Sequence, residues 1–192
     1  MKKSYKFPLF ITACLVAGVL IGYGQKNHAG AGDVCFAGIE RVKIDDAFWS
    51  PKLQLWSTVT ANDVLDKFEG LHLGDPQERD ANNALLNFDA VAKGESGTGR
   101  HAGPPWYDGL VYETIRGVAD LLVFSPDKKL EERIDGYIER IYAAQRSDPD
   151  GYINTYSQWV EPDHRWGDKG GFLRWQHDGY KAGALIEAGV HY

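Results

Sequence analysis

Cysteine is nearly missing from this sequence. The 192-residue chain has two, Cys14 and Cys35, too few for a disulfide framework or a cysteine-rich zinc site. Proline (8) and glycine (22) are not in excess and 25% of residues are charged, which argues against collagen-like, low-complexity and disordered classes. Positive charge is scarce beyond the N-terminus. Residues 1–31 carry Lys2, Lys3, Lys6 and Lys26 and no acid; the rest has 17 basic against 27 acidic side chains, net −10. Neutralising a phosphate backbone needs clustered Lys and Arg, so this balance argues against a nucleic-acid partner. The length allows one ordinary domain or a piece of a larger one.

The basic stretch Met1–Lys6, the apolar run Phe7–Tyr23 and the small residues Ala29-Gly30-Ala31 form the three-part layout of a secretory signal. The run is 17 residues, short of the ~20 of a comfortable membrane span. Residues 1–31 are therefore expected to be a signal peptide, and the protein to be exported to a periplasmic or extracellular location. Ile11-Thr12-Ala13-Cys14 also has the form of a lipoprotein box, so membrane attachment is expected only if Cys14 is lipidated.

Helical spacing dominates the remainder. Val34–Asp45 alternates and has room for one or two short strands. Ser50-Pro51 reads as a helix start, with Phe48-Trp49 as an apolar anchor before it. Leu53–Glu69 follows, with Leu55, Val59, Leu65 and Phe68 as candidate core, and Gly70 closes it. Gly94–Pro105 is a Gly/Pro-rich loop. Tyr107–Phe124 is a helix whose Val111, Ile115, Val118 and Leu122 form one stripe and Tyr107, Leu110, Thr114 and Leu121 a second. Pro126–Arg146 is the clearest helix: Ser125 stands at the cap, and Leu130, Ile134, Tyr137, Ile141 and Ala144 step by 4, 3, 4 and 3. Gln176–Tyr192 is a last helix dense in small residues. Long aromatic loops on alternate connections suit a helical toroid better than a plain bundle. The chain ends in an uncapped apolar helix, the expected mark of a fragment.

The chemistry sits in the loops. Asp150–Tyr156 (DGYINTY) joins a turn to two aromatics, an amide and a hydroxyl, and Trp159, Trp166 and Trp175 follow among Glu161, Asp163, His164, Arg165 and Asp168. Aromatic faces with carboxylates, amides and imidazoles recognise sugars; the same aromatics also serve to pin a long loop. His177 is either a sugar-hydroxyl ligand or proton-transfer group, or a helix-start hydrogen-bonding residue. Glu187 reads as a buried acid serving a pocket or, by preference, a carboxylate paired with a neighbouring cation, and Asp108 as a capping or first-turn charge rather than a catalyst. His164 and Asp168 lack a third metal ligand. Gly97-x-Gly99 lacks the strand before it and the lysine after it that a nucleotide loop needs.

Phe48–Lys52 (FWSPK), Leu110–Glu113 (LVYE), Leu130–Asp135 (LEERID), Ala143-Ala144-Gln145, Asp150–Tyr156 and His177–Ala188 (HDGYKAGALIEA) together resemble the N-terminal part of glycoside hydrolase family 127, the β-L-arabinofuranosidase-like family, whose usual forms are close to AAQ…DGYLNTY and HELYCAGHLIEAA. The resemblance runs from about Ile39 to Tyr192. It departs at Asp178, where the family commonly has Glu, and at Lys181, where it has Cys; no motif of the resemblance falls in Asp75–Pro105. The resemblance implies an all-α fold, a partial (α/α)6 barrel cut after about four or five helices, and makes 32–192 the N-terminal part of that domain. It implies hydrolysis of terminal arabinofuranosyl or related linkages in plant oligosaccharides or polysaccharides. It implies a zinc-bound cysteine nucleophile whose ligands lie beyond Tyr192, so that this stretch holds no catalytic or metal residue and is inactive alone. It makes His177 a substrate-binding residue, with Tyr152 and Asn154 on the pocket-rim loop. The competing expectation is a non-catalytic helical module that binds glycan or a partner.

Overall fold

In a computed structural model of the chain, the structure describes residues 37–38, 41–71, 83–95, 101–170 and 177–192, of 168–170 the backbone only. Ile39–Tyr192 forms one compact unit. The expected signal peptide with Cys14, as well as Cys35, Gly97-x-Gly99, Trp175 and the Asp168 side chain, lie outside the described residues. The described residues are helical, with no strand, and no helix among them is long and apolar enough to cross a membrane. The strand expected toward Asp45 is absent from its described part, 41–45.

The first helical run differs most from expectation. It consists of α1 (Trp49–Leu55), a π-helical turn (Trp56–Thr60) and α2 (Ala61–Phe68). Its start is fixed by Asp46, whose Oδ1 accepts from Phe48 N and Trp49 N, while Ser50 Oγ accepts from Asp46 N. Ser50 therefore reaches back to brace the cap and is not itself the cap. The buried face is Ser57, Ala61, Leu65 and Phe68, and Leu55 and Val59 are exposed. Angular arithmetic explains the miss. At ~100° per residue, Val59 and Leu65 point about 120° apart. The Phe48-Trp49 anchor is also exposed. Gly70, at φ +71°, ends α2 in a Schellman motif: Leu71 N donates to Asp66 O and Gly70 N to Lys67 O. A Cβ there would sit 2.7 Å from the Asn83 amide, so a side chain would have to displace Asn83 and hold a left-handed backbone, which favours glycine.

Helix α3 (Ala84–Ala92) was not expected. It lies within Asp75–Pro105, where none of the motifs that carry the resemblance falls, and is apolar nearly all round, so it shows no helical stripe; Leu85, Phe88, Ala90 and Val91 are buried. Helix α4 (Tyr107–Phe124) has the expected bounds. Its first stripe is buried except for half-buried Leu122, and in the second stripe Leu110 is exposed. Helix α5 (Lys128–Arg146) starts two residues later than expected, because Asp127 is the cap and accepts from Lys129 N and Leu130 N. All five of its expected core residues are buried. After α6 (Thr155–Trp159) and a 3-10 helix (Pro162–Gly170), α7 (Asp178–His191) packs along α4, and α3 packs against α5 and α6. Arg133 ties α5 to α2 through Glu69, Asn62 and Asp66.

Candidate functional site

Three local motifs build the site. In the first, Asp148 Oδ1 accepts from Asp150 N and Tyr152 N, and Gln145 donates to the Gly151 carbonyl, so Gln145 and Asp148 scaffold the loop. Burial would raise the Asp148 carboxyl, but the Arg165 guanidinium and the two backbone donors hold it below its ordinary value. Arg165 also lies over the Tyr152 ring, 4.6 Å from its centroid. In the second, Asn154 caps α6 by accepting from Ser157 N. In the third, α7 begins after His177, which has a left-handed backbone at φ +54° and no side-chain capping bond.

These motifs meet in a buried polar seam between α4, α6 and α7. Lys181 is 0% exposed. Its Nζ donates to Pro105 O (2.6 Å), Asn154 Oδ1 (2.6 Å) and Asp108 Oδ2 (3.2 Å). Burial lowers its pKa and Asp108 opposes that. Asp108 accepts also from Thr155 N (2.8 Å) and Thr155 Oγ1 (2.6 Å). The Asp178 carboxylate accepts from Tyr152 Oη (2.7 Å), Asn154 Nδ2 and Trp166 N (2.7 Å). Burial first, and the bond to Asp178 second, push the Tyr152 hydroxyl well above its ordinary pKa. His101 joins the seam through Nε2 to Thr155 Oγ1 (3.0 Å) and Nδ1 to Gly103 O (3.2 Å). Burial lowers its pKa, against the attraction of Asp108.

In front of the seam opens a cavity of about 610 Å³ lined by Trp106, Leu110, Trp166, His177, Asp178, Gly179 and Tyr180. His177 stacks on Trp106 at 5.9 Å and 24°, and meets Tyr180 edge-on at 6.3 Å. Trp166 is exposed and is held edge-on against Tyr152 at 5.5 Å. Gly109 lets the Tyr180 ring approach α4: a Cβ there would stand 3.0 Å from the ring. The cleft thus offers aromatic faces beside a carboxylate and an imidazole, the side chains that hold a sugar ring and its hydroxyls.

The three residues expected to bind substrate take different places. His177 lines the cavity. Tyr152 lies one layer behind it, against Trp166 and Asp178. Asn154 is fully buried and bridges Lys181 to Asp178. Asp108, expected as a first-turn charge, is an interior acceptor 1% exposed. Glu187 is exposed and pairs with Arg116 at 2.8 Å, while His164 pairs with Glu161 at 3.2 Å. The sequence reading missed Lys181 and Asp108 as a pair. The available signal was Lys181 in register with Ala184 and Ala188 on an apolar helix, since a buried lysine demands a carboxylate. Among the described residues no three His, Cys, Asp or Glu side chains come together to hold a metal, so they do not fit the zinc ion that the resemblance implies.

A sequence model of the family described as β-L-arabinofuranosidase, GH127 catalytic domain, matches residues 41–192. The chain belongs to this family. All the motifs above fall within the match, and membership of the GH127 glycoside hydrolases gives the protein a carbohydrate substrate. A comparison with curated proteins found no match.

Proposed function

We propose that this chain is the sugar-recognising N-terminal part of an exported GH127 enzyme that releases terminal arabinofuranosyl or related units from plant glycans. The observation that carries the reading is the cleft itself, lined by Trp106 stacked on His177, by Trp166 and by Asp178. In this reading the helices form part of an (α/α)6 barrel whose later helices complete the cleft. Tyr152 and Asn154 act from behind, holding the wall that a sugar touches.

Hydrolysis of a glycoside needs an acid/base and a nucleophile on either side of the bond. The carboxylate in the cleft is Asp178, and its oxygens already accept from Tyr152, Asn154 and Trp166. The described residues therefore serve recognition. The nucleophile and any zinc ion are assigned to residues outside them, and no step is derived through the metal.

The test is calorimetry of the 192-residue chain with methyl β-L-arabinofuranoside, alongside an assay for release from a chromogenic β-L-arabinofuranoside. Binding without turnover is expected. His177→Ala should weaken binding by about 1–3 kcal/mol, the loss of a hydrogen bond and a stacking face, with little change in thermal midpoint. Turnover that a point change in this chain abolishes would contradict the assignment of catalysis elsewhere. Absence of binding would contradict the cleft as a sugar site.

A further inference from the structure

The two aromatic walls of the cleft both rest on strained backbone. Trp166 has φ +56° and His177 φ +54°, values a residue with a Cβ keeps only when its surroundings hold it there. Asp178 touches both walls. It follows His177 directly in the chain, and its Oδ2 accepts the Trp166 N–H at 2.7 Å. Its Oδ1 is in turn held by Tyr152 Oη and Asn154 Nδ2. The Asn154 amide has one workable orientation. An ammonium only donates, and Lys181 Nζ lies 2.6 Å from Asn154 Oδ1, so the amide nitrogen faces Asp178. Lys181 cannot turn away, because its remaining donors are taken by Pro105 O and Asp108.

We infer that Asp178 is a positioning residue that sets the spacing of the Trp166 and His177 walls, and that Lys181, acting through Asn154, locks Asp178 in place. This deepens the reading of the cleft as a sugar site and rests on it for its functional consequence. Its structural content stands on the hydrogen bonds of Asp178 to Trp166, Tyr152 and Asn154, with or without a sugar. Without the Trp166–Asp178 bond, Trp166 relaxes to an ordinary backbone conformation and its indole leaves the wall. The lock needs the lysine at position 181.

Asp178→Asn keeps the size of the side chain but leaves one acceptor oxygen and adds two N–H groups among three donors. Two quantities are read in the 192-residue chain: amide hydrogen exchange at Trp166 by NMR, and the Kd for methyl β-L-arabinofuranoside. In Asp178→Asn, Trp166 exchange should rise at least ~10-fold and binding should weaken about 5- to 20-fold, with the His177–Trp106 ring contact and the helical circular dichroism retained. Asp178→Glu should recover most of both. Wild-type exchange at Trp166 in Asp178→Asn overturns the inference. So does an unprotected Trp166 N–H in the wild-type protein, a result that needs no variant to fold. If the wild type binds no glycoside while Trp166 protection still depends on Asp178, the positioning stands and the sugar reading falls.

Discussion

The α3–α5 seam and the start of the α4–α7 seam are both closed to water, and they are filled with opposite chemistry. Between α3 and α5 lie Leu85, Phe88, Val91, Leu130, Ile134 and Ile141. Between α4 and α7, Asp108 and Lys181 stand at 1% and 0% exposure, with Asn154 and Thr155 beside them at 0%. The apolar seam is non-directional: similar residues repack in it with modest loss. The polar seam is directional, because each donor has one acceptor at one distance. Alone it is a poor source of stability, since desolvating a charge pair offsets most of its attraction. Its value is orientation, and it is the seam that ends at the cleft.

The sharpest contrast comes from removing one buried side chain on each side. Lys181→Met should cost about 3–5 kcal/mol, because Asp108 is left buried without its cation. Ile134→Ala should cost about 2–5 kcal/mol through the cavity it leaves. Urea unfolding reads both. The variants part company under rescue: Ile134→Val should recover most of the loss, whereas Lys181→Arg should not, since the planar guanidinium does not reproduce the three directions of the ammonium. A Lys181→Met variant as stable as wild type would mean the polar seam is not a closed network.

Acid should weaken the polar seam first. The His101 pKa in the folded chain lies below 6.5, and in the unfolded chain it is about 6.5. Between those values the unfolded state binds more protons, so the stability this group contributes is present above about pH 6.5 and falls as the pH drops through the window below it. Thermal midpoints measured from pH 7.5 to 5 should decline in wild type and decline less in His101→Gln. Equal slopes would remove His101 from the account.

Two smaller effects bound the comparison. Asp127→Ala should cost about 1 kcal/mol, the usual value of an N-cap, with no change at the cleft. Tyr112→Phe should be neutral or slightly stabilising, since the buried Tyr112 hydroxyl has no hydrogen-bond partner among the described residues. A clear loss of stability in Tyr112→Phe would show that the polar seam extends one turn further along α4 than its hydrogen bonds indicate.

The two seams were also unequally legible. Periodicity reads apolar stripes, so Leu130, Ile134, Tyr137, Ile141 and Ala144 were legible in the order of their residues, and the bounds of α4 with them. Caps were less so: Ser125-Pro126-Asp127 and Asp46–Ser50 each offer two candidate residues within hydrogen-bond reach of the first turn, and in both places the aspartate accepts from the backbone. Helix α3 was missed because a helix apolar nearly all round, with even its exposed Leu86 a leucine, shows no stripe. The polar seam joins residues 101, 108, 154, 155, 178 and 181, far apart in sequence, and no local spacing encodes which donor meets which acceptor. Resemblance singled out His177 and the Asp150–Tyr156 loop, but not that His177 lines the cavity while Asn154 is buried behind it.

In the proposed function the polar seam presents an aromatic cleft to a sugar. The most direct test is a titration of the ¹⁵N-labelled chain with methyl β-L-arabinofuranoside followed by NMR. The account requires the Trp106 and Trp166 indole signals and the His177 and Tyr180 amides to shift together along one binding curve, with Ile134 and Ile141 unmoved. Shifts confined to other surfaces, or none at concentrations well into the millimolar range, would contradict it.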